Sequence, residues 1–167
     1  IAGATTFNNT GTLTLGDGSD TIVFTGGVVA TAPSLKTLNG TLSAAGTGVI
    51  NLGTTAVNVA GNSTVGGAST GLITLGNATL ADGVTLTLGT GAATPVSAGS
   101  ISGTTGGAAS NVALNTTGAA TVSGAVGTDV GTLTITKSGG ATFQSQVDAA
   151  ENADTDKAAG ITVRIRG

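Results

Sequence analysis

Aliphatic and polar residues alternate along many short stretches of this chain. One glycine-bounded template, in which Leu, Ile or Val alternates with Thr or Asn, recurs at 11–16, 48–53, 71–76, 83–89 and, more loosely, 131–136. Alternation with period two places successive side chains on opposite faces of a β-strand. We therefore predict strands with one buried and one solvent-facing side. The residues predicted to point inward are Leu13, Leu15, Ile50, Leu52, Ile73, Leu75, Leu86, Leu88, Leu133 and Ile135.

Turn signals separate these strands at intervals of about ten to twelve residues. Pairs of the Gly-Gly, Asp-Gly and Asn-Gly type bound the strands, and helix signals are nearly absent. An all-β chain of this kind folds as a β-solenoid of stacked coils or as an antiparallel β-sandwich. The chain has only three Phe and no Trp or Tyr, too few aromatic residues for a typical sandwich core. We predict a β-solenoid of about seven coils of roughly 20–25 residues, with the sandwich as the alternative.

The pattern divides the chain into three parts. Residues 1–145 form the predicted solenoid repeat domain, and 146–160 form an acidic loop or linker. Residues 161–167 alternate strictly and form a predicted terminal β-strand, which we expect to pair with an earlier strand of this chain or of a neighbouring copy. Half of the eight acidic residues fall in the acidic segment, at Asp148, Glu151, Asp154 and Asp156.

Composition narrows the classes of function. Charged residues are 8% of the chain, and Cys, His, Met, Trp and Tyr are absent. We therefore expect no enzyme, no catalytic residue and no cofactor, because thiol, imidazole and phenol chemistry are missing together. A net charge of −3 with five basic residues offers no basic face for nucleic acid. We expect no membrane insertion by helices, since no apolar run approaches the 18 residues that a spanning helix needs.

One local motif suggests a metal. The segment Gly16-Asp17-Gly18-Ser19-Asp20 resembles the calcium-binding nonapeptide repeat of RTX proteins, in which successive turns each donate an Asp and backbone carbonyls. It occurs here once, whereas such a site needs two successive turns. Asp17 and Asp20 are therefore calcium candidates, and the favoured interpretation is a turn in which their carboxylates cap backbone N–H groups.

A second pattern concerns hydroxyl groups. The Thr-x-Thr motif occurs at 12–14, 85–87 and 132–136. It is either the solvent-facing half of ordinary strands or part of a flat ice-binding array, as in Thr-rich solenoids. An array needs the pair at the same point of every coil, and these copies begin 73 and 47 residues apart. The spacing favours ordinary solvent-facing strands.

These features together resemble a known class of protein. Gly-[Leu/Ile/Val]-x-Leu-Gly strands, a background rich in Ala and Thr, and the opening Gly3-Ala4-Thr5-Thr6-Phe7, echoed at 140–143, are similar to the β-strand-repeat regions of large secreted bacterial exoproteins. Filamentous-haemagglutinin-type adhesins and autotransporter passengers are examples. The resemblance implies a right-handed parallel β-helix, an extracellular or cell-surface location and an adhesive or scaffolding role without catalytic residues.

Two functions follow from this resemblance. The first is a structural or adhesive segment that acts as a stiff spacer, and the alternative is a self-assembling subunit of an extracellular filament, fibre or surface layer. The expected partners are neighbouring repeats of the same parent chain or identical subunits, with a host or surface glycan as a further candidate. Ile1 and the lack of Met indicate a processed chain or a piece of a longer one.

Overall fold

A computed structural model describes residues 1–148 and the backbone of 163–165. This part of the chain is built from β-strands, and none of it forms a helix with the length and apolarity needed to cross a membrane. The strands, in chain order, are β1 (Thr5–Thr6), β2 (Thr12–Leu15), β3 (Thr21–Phe24), β4 (Val28–Val29), β5 (Leu35–Gly46), β6 (Ile50–Asn51), β7 (Ala56–Ser69), β8 (Ile73–Leu75), β9 (Ala78–Leu80), β10 (Thr85–Leu88), β11 (Val96–Ala98), β12 (Ile101–Gly103), β13 (Ser110–Asn115), β14 (Ala120–Val122), β15 (Val126–Gly127), β16 (Val130–Lys137), β17 (Ala141–Phe143), β18 (Val147–Asp148) and β19 (Val163–Ile165).

Each coil of the chain crosses three faces of a rod. Face A is a seven-stranded sheet in the order β1-β4-β6-β8-β11-β14-β17. A second, twelve-stranded sheet supplies the other two faces. Face B contains β2, the first halves of β5 and β7, β9, β12, β15 and β18. Face C contains β3, the second halves of β5 and β7, β10, β13, β16 and β19.

All pairings between these strands are parallel, and the coil length is nearly constant. On face A the chain advances 22, 23 and 23 residues from Val28 to its successive partners Ile50, Ile73 and Val96. The fold is therefore a β-solenoid of about six turns. The predicted solenoid is confirmed, and the antiparallel sandwich is ruled out because its neighbouring strands would run in opposite directions.

The interior is a set of side-chain columns parallel to the rod axis. Val28, Ile50, Ile73, Val96 and Ala120 form one of them, and each is at most 2% exposed. Like side chains stack in this way because adjacent parallel strands lie about 4.8 Å apart.

The predicted register of the strands is confirmed. Nine of the ten predicted inward residues are buried, and Leu13, in the first coil, packs half-buried against the core. The threonines between them lie on the outer surface, as Thr14, Thr74 and Thr87 show. The template copies fall on all three faces, so the template marks a strand followed by a corner rather than a fixed point in the coil.

Glycine lets the corners between faces C and A stack closely. Gly27 has a φ of 94°, and a Cβ placed on it would lie 2.6 Å from the backbone nitrogen of Val49 in the next coil. A side chain at this position would therefore force two coils apart. Gly48, Gly71 and Gly118 meet the backbone of the preceding coil at the same corner in the same way.

Both predicted C-terminal segments are described in part by the structure. Val147–Asp148 pair with β15, so the solenoid continues to residue 148, whereas the sequence placed its limit at 145. The rest of the predicted acidic segment, from 149 to 160, lies outside the described residues. Within the predicted terminal strand 161–167, Val163–Ile165 pair in parallel with Leu133–Ile135 of β16. The remaining residues of that segment are also outside the described range, and its part in assembly stays a prediction.

Candidate functional site

The Asp17–Asp20 motif forms the corner between β2 and β3 in the first coil. The Asp17 N–H donates to Asp20 Oδ2 at 3.1 Å, and Gly16 adopts a φ of 86° that suits glycine. A hydrogen bond between the two carboxyl groups, helped by their mutual repulsion, raises the pKa of Asp17. The motif thus has the backbone hydrogen bond that the capping interpretation predicts.

The next coil adds no acid to this corner. The Gly18 N–H donates to the carbonyl of Asn39 at 3.2 Å, and Gly40 lies against the backbone of Asp20. Within the described residues, no three or more His, Cys, Asp or Glu side chains come together in a group that could hold a metal ion. A two-carboxylate corner offers fewer oxygens than the six to eight that calcium takes. Calcium binding at Asp17 and Asp20 stays a prediction.

Lys36 is the most unusual side chain of the interior. It is 0% exposed and occupies an inward column on face B, between Leu13 of the preceding coil and Val57 of the next. Its Nζ donates to the carbonyl of Pro33 at 3.3 Å and to Thr55 Oγ1. Burial lowers the pKa of Lys36, and no neighbouring charge contributes to that shift.

Sequence reasoning missed the position of Lys36, although the pattern contained it. Leu38 points inward, and alternation places residue 36 on the same side of the strand. Residue type argued against an inward position, because Lys is almost never fully buried without a partner.

A ladder of buried hydroxyl groups lies at the corner between faces C and A. Ser69 Oγ donates to the Gly48 carbonyl at 2.6 Å, Thr94 Oγ1 donates to the Ser69 carbonyl, and Thr116 Oγ1 donates to the Thr94 carbonyl. Each hydroxyl therefore binds the backbone of the coil before it. The three residues are 0–2% exposed. We refer to Ser69, Thr94 and Thr116 as the hydroxyl ladder, which satisfies backbone carbonyls that the corner would otherwise leave unpaired.

Two buried oxygens have no hydrogen-bond partner within the described residues. They are Asn115 Oδ1, at the end of β13, and Asp129 Oδ2, at the corner before β16. Asp129 is 5% exposed and has a φ of 62°, a conformation that Asp tolerates better than most residues.

The outer surface of face C carries two regular columns of polar side chains. The first contains Thr21, Thr41, Thr64, Thr87, Ala113 and Thr134, in which each residue is the register partner of the next on the neighbouring strand. The second contains Thr85, Asn111 and Thr132. We refer to these nine residues as the face C array.

The array changes the interpretation of the Thr-x-Thr spacing. The copies at 85–87 and 132–134 lie in the same two columns, because 47 residues correspond to two coils with Asn111 and Ala113 between them. The two copies are therefore in register two coils apart, but the coil between them carries Asn111 and Ala113 instead of a Thr pair, so the pair does not recur in every coil. The copy at 12–14 lies on face B, where Thr14 pairs with Thr37.

Comparison of the chain with protein-family models, with curated proteins and with solved structures finds no match. The resemblance to secreted bacterial exoproteins therefore stays a prediction.

Proposed function

We propose that this chain is a stiff spacer or scaffold segment of a bacterial repeat protein that is secreted or displayed at the cell surface. The observation that carries the proposal is the continuity of the interior columns through the described coils. Val28 to Ala120 on face A and Leu42 to Ile135 on face C stack without interruption. The continuous columns join each described coil to the next without an intervening linker, and this continuity is the reason that we expect a stiff rod.

The size of the rod follows from the strand spacing. Seven strands on face A are separated by six coil steps, and at about 4.8 Å per step they span about 29 Å along the axis. Backbone hydrogen bonds on three faces connect each coil to the next, so bending would break bonds on one side. Such a segment holds whatever lies beyond its two ends at a fixed distance.

The two ends of the described solenoid support the proposed partners. At the last coil, a cavity of about 450 Å³ is lined, among the described residues, mainly by apolar groups, including Leu133, Ile135, Phe143 and Val147, and lies next to β19, which pairs with Leu133 and Ile135. At the first coil, Leu13 packs only partly against the core. Neighbouring repeats of the parent chain would cover both surfaces and continue the columns.

The alternative function, a self-assembling subunit, uses the same surfaces. An uncovered terminal coil offers unpaired N–H and C=O groups, which recruit another strand. Identical subunits stacked end to end would extend the parallel pairing of β17 and β18. A filament, fibre or surface layer would result, and an adhesive role with a host or surface glycan is compatible with either arrangement.

Electron microscopy of one copy and of two copies joined in tandem tests the proposal. The spacer function predicts discrete single rods, with the tandem protein twice as long as the single copy. Compact particles in the tandem sample, with no increase in length, would contradict it. Filaments formed by the single copy would favour the alternative function.

A pair of variants identifies the surface if filaments form. Val147→Lys places a charge at the cavity of the last coil, so it should abolish end-to-end growth. Val23→Lys is the control, because Val23 is 42% exposed on the outer side of face C in the first coil. Equal loss of filaments in both variants would show that assembly does not depend on the coil ends.

A further inference from the structure

The face C array is one column of side chains that widens to two columns in three successive coils, those of Thr85, Asn111 and Thr132. Its rows repeat with the coils at about 4.8 Å, and its two columns are separated by two residues along the strand, roughly 6.6 Å. Face B presents only one such outward column, from Thr14 through Thr37, Asn58 and Thr79 to Ser102. Face C is thus the broader regular surface of the two.

The hydroxyl groups in the first column of the array are free. Within the described residues, Thr21, Thr41, Thr64, Thr87 and Thr134 use their hydroxyls in no hydrogen bond to the protein. Hydroxyls at the corners behave differently, since Thr90 Oγ1 donates to the Gly67 carbonyl, and the hydroxyl ladder is bound to backbone throughout. The chain therefore uses its corner hydroxyls structurally. Within the array, Thr132 Oγ1 donates to Asn111 Oδ1, and the hydroxyls of the first column are the ones left for an external partner.

The chemistry of the array restricts that partner to a neutral one. None of its nine side chains is charged, so it has no complement for a polyanion or a polycation. The uncharged column ends at Thr134, because the next residue in register is Arg164 of β19. It has no aromatic platform for stacking sugars, because Phe24 is buried and Phe7 and Phe143 pack against the core. A neutral, repeating surface of hydrogen-bond donors and acceptors is the complement that remains.

We propose that the face C array binds ice. Each Thr hydroxyl can donate and accept, as can each water molecule in the ice lattice. A single such bond contributes only about 1 kcal/mol in water. The rows are fixed by the backbone and Thr has a stiff χ1, so each further row adds a bond with little extra ordering cost.

Two measurements on the whole chain test this proposal: thermal hysteresis, and the fraction of fluorescently labelled protein incorporated into a slowly growing ice hemisphere. The wild-type protein should show hysteresis and enter the ice. Thr64→Lys, at the centre of the first column, should lose most of both signals. Thr79→Lys is the matched control, because Thr79 is an outward threonine on face B. Circular dichroism establishes that both variants keep the β-fold.

Three results would overturn the proposal. The first is a wild-type protein that is excluded from ice and shows no hysteresis, including one that binds crystalline chitin instead. The second is a Thr64→Lys variant that behaves as wild type. The third is equal loss of signal in both variants, which would show that face C is not the binding surface.

Discussion

Replacing Lys36 by methionine should stabilise the protein at neutral pH. Lys36 is 0% exposed, and its Nζ is bound by the Pro33 carbonyl and Thr55 Oγ1, neither of which carries a charge. Holding an ammonium group in this column costs free energy that Met, of similar shape, does not incur. Replacing a buried ion pair by well-packed apolar residues of similar volume is often neutral or stabilising by about 1–4 kcal/mol, and Lys36 has no charged partner to offset its cost. The Pro33 carbonyl keeps a partner, because Thr55 Oγ1 donates to it at 3.0 Å.

The same penalty makes stability depend on pH with a definite sign. Burial lowers the pKa of Lys36 in the folded state, so between that value and the ordinary lysine pKa the unfolded chain binds more protons. The free energy of unfolding of the wild type therefore rises with pH across this window. Below the folded pKa the penalty is fully present, and above the ordinary pKa it is relieved.

Urea denaturation followed by circular dichroism, at pH 7 and at several values up to about pH 10.5, measures both effects. The chain has no Cys or Tyr, so few other groups titrate in the alkaline range. Lys36→Met should be more stable than wild type at pH 7, and the difference should shrink as the pH rises. Lys137→Met, which removes an exposed lysine, is the control and should change little. A Lys36→Met variant that is destabilised at pH 7, with no alkaline gain in the wild type, would refute the reasoning.

Three further predictions concern the corners. Gly106→Ala should lower stability by about 1–2 kcal/mol, for its positive φ alone. Gly27 has a similar φ, but the backbone nitrogen of Val49 lies only 2.6 Å from the position of the new Cβ, so Gly27→Ala should lower stability by about 4 kcal/mol or more in chemical denaturation. Equal losses of stability would contradict the close stacking. Thr116→Val removes a rung of the hydroxyl ladder and leaves the Gly118 N–H unpaired, so it should lower stability by about 1–3 kcal/mol, while the exposed Thr117→Val should have little effect on the melting temperature. Calcium should leave the melting temperature unchanged, and a rise that Asp20→Asn abolishes would establish the calcium site instead.

Strand register and inward residues could be predicted from the sequence because alternation with period two fixes which side of a strand faces the core. The length of one coil could not be predicted as directly from the sequence. Copies of the template at 48–53 and 71–76 lie on face A and are one coil apart, but the copy at 83–89 lies on face C. Mixed steps of 23 and 13 residues therefore hid a repeat of about 23.

The candidate sites show the same limit. Lys36 follows the alternation of β5, but the cost of burying a charge argued against placing it inside. Ser69, Thr94 and Thr116 look like ordinary turn residues in the sequence. Their role depends on which carbonyl of the preceding coil lies beside each hydroxyl, and only the stacked structure fixes that.

Distances between spin labels on face C test the central claim, a rod of parallel coils, most directly. The chain has no native Cys, so pairs of labels can be placed at Thr21 and Thr87, three coil steps apart, and at Thr21 and Thr134, five steps apart. The account predicts backbone separations of about 14 Å and about 24 Å, growing by about 4.8 Å for each coil. Pulsed electron–electron double resonance measures the longer distance, and line broadening in continuous-wave electron paramagnetic resonance spectra measures the shorter one. Separations that do not increase by one strand spacing per coil would contradict the solenoid and every function built on it.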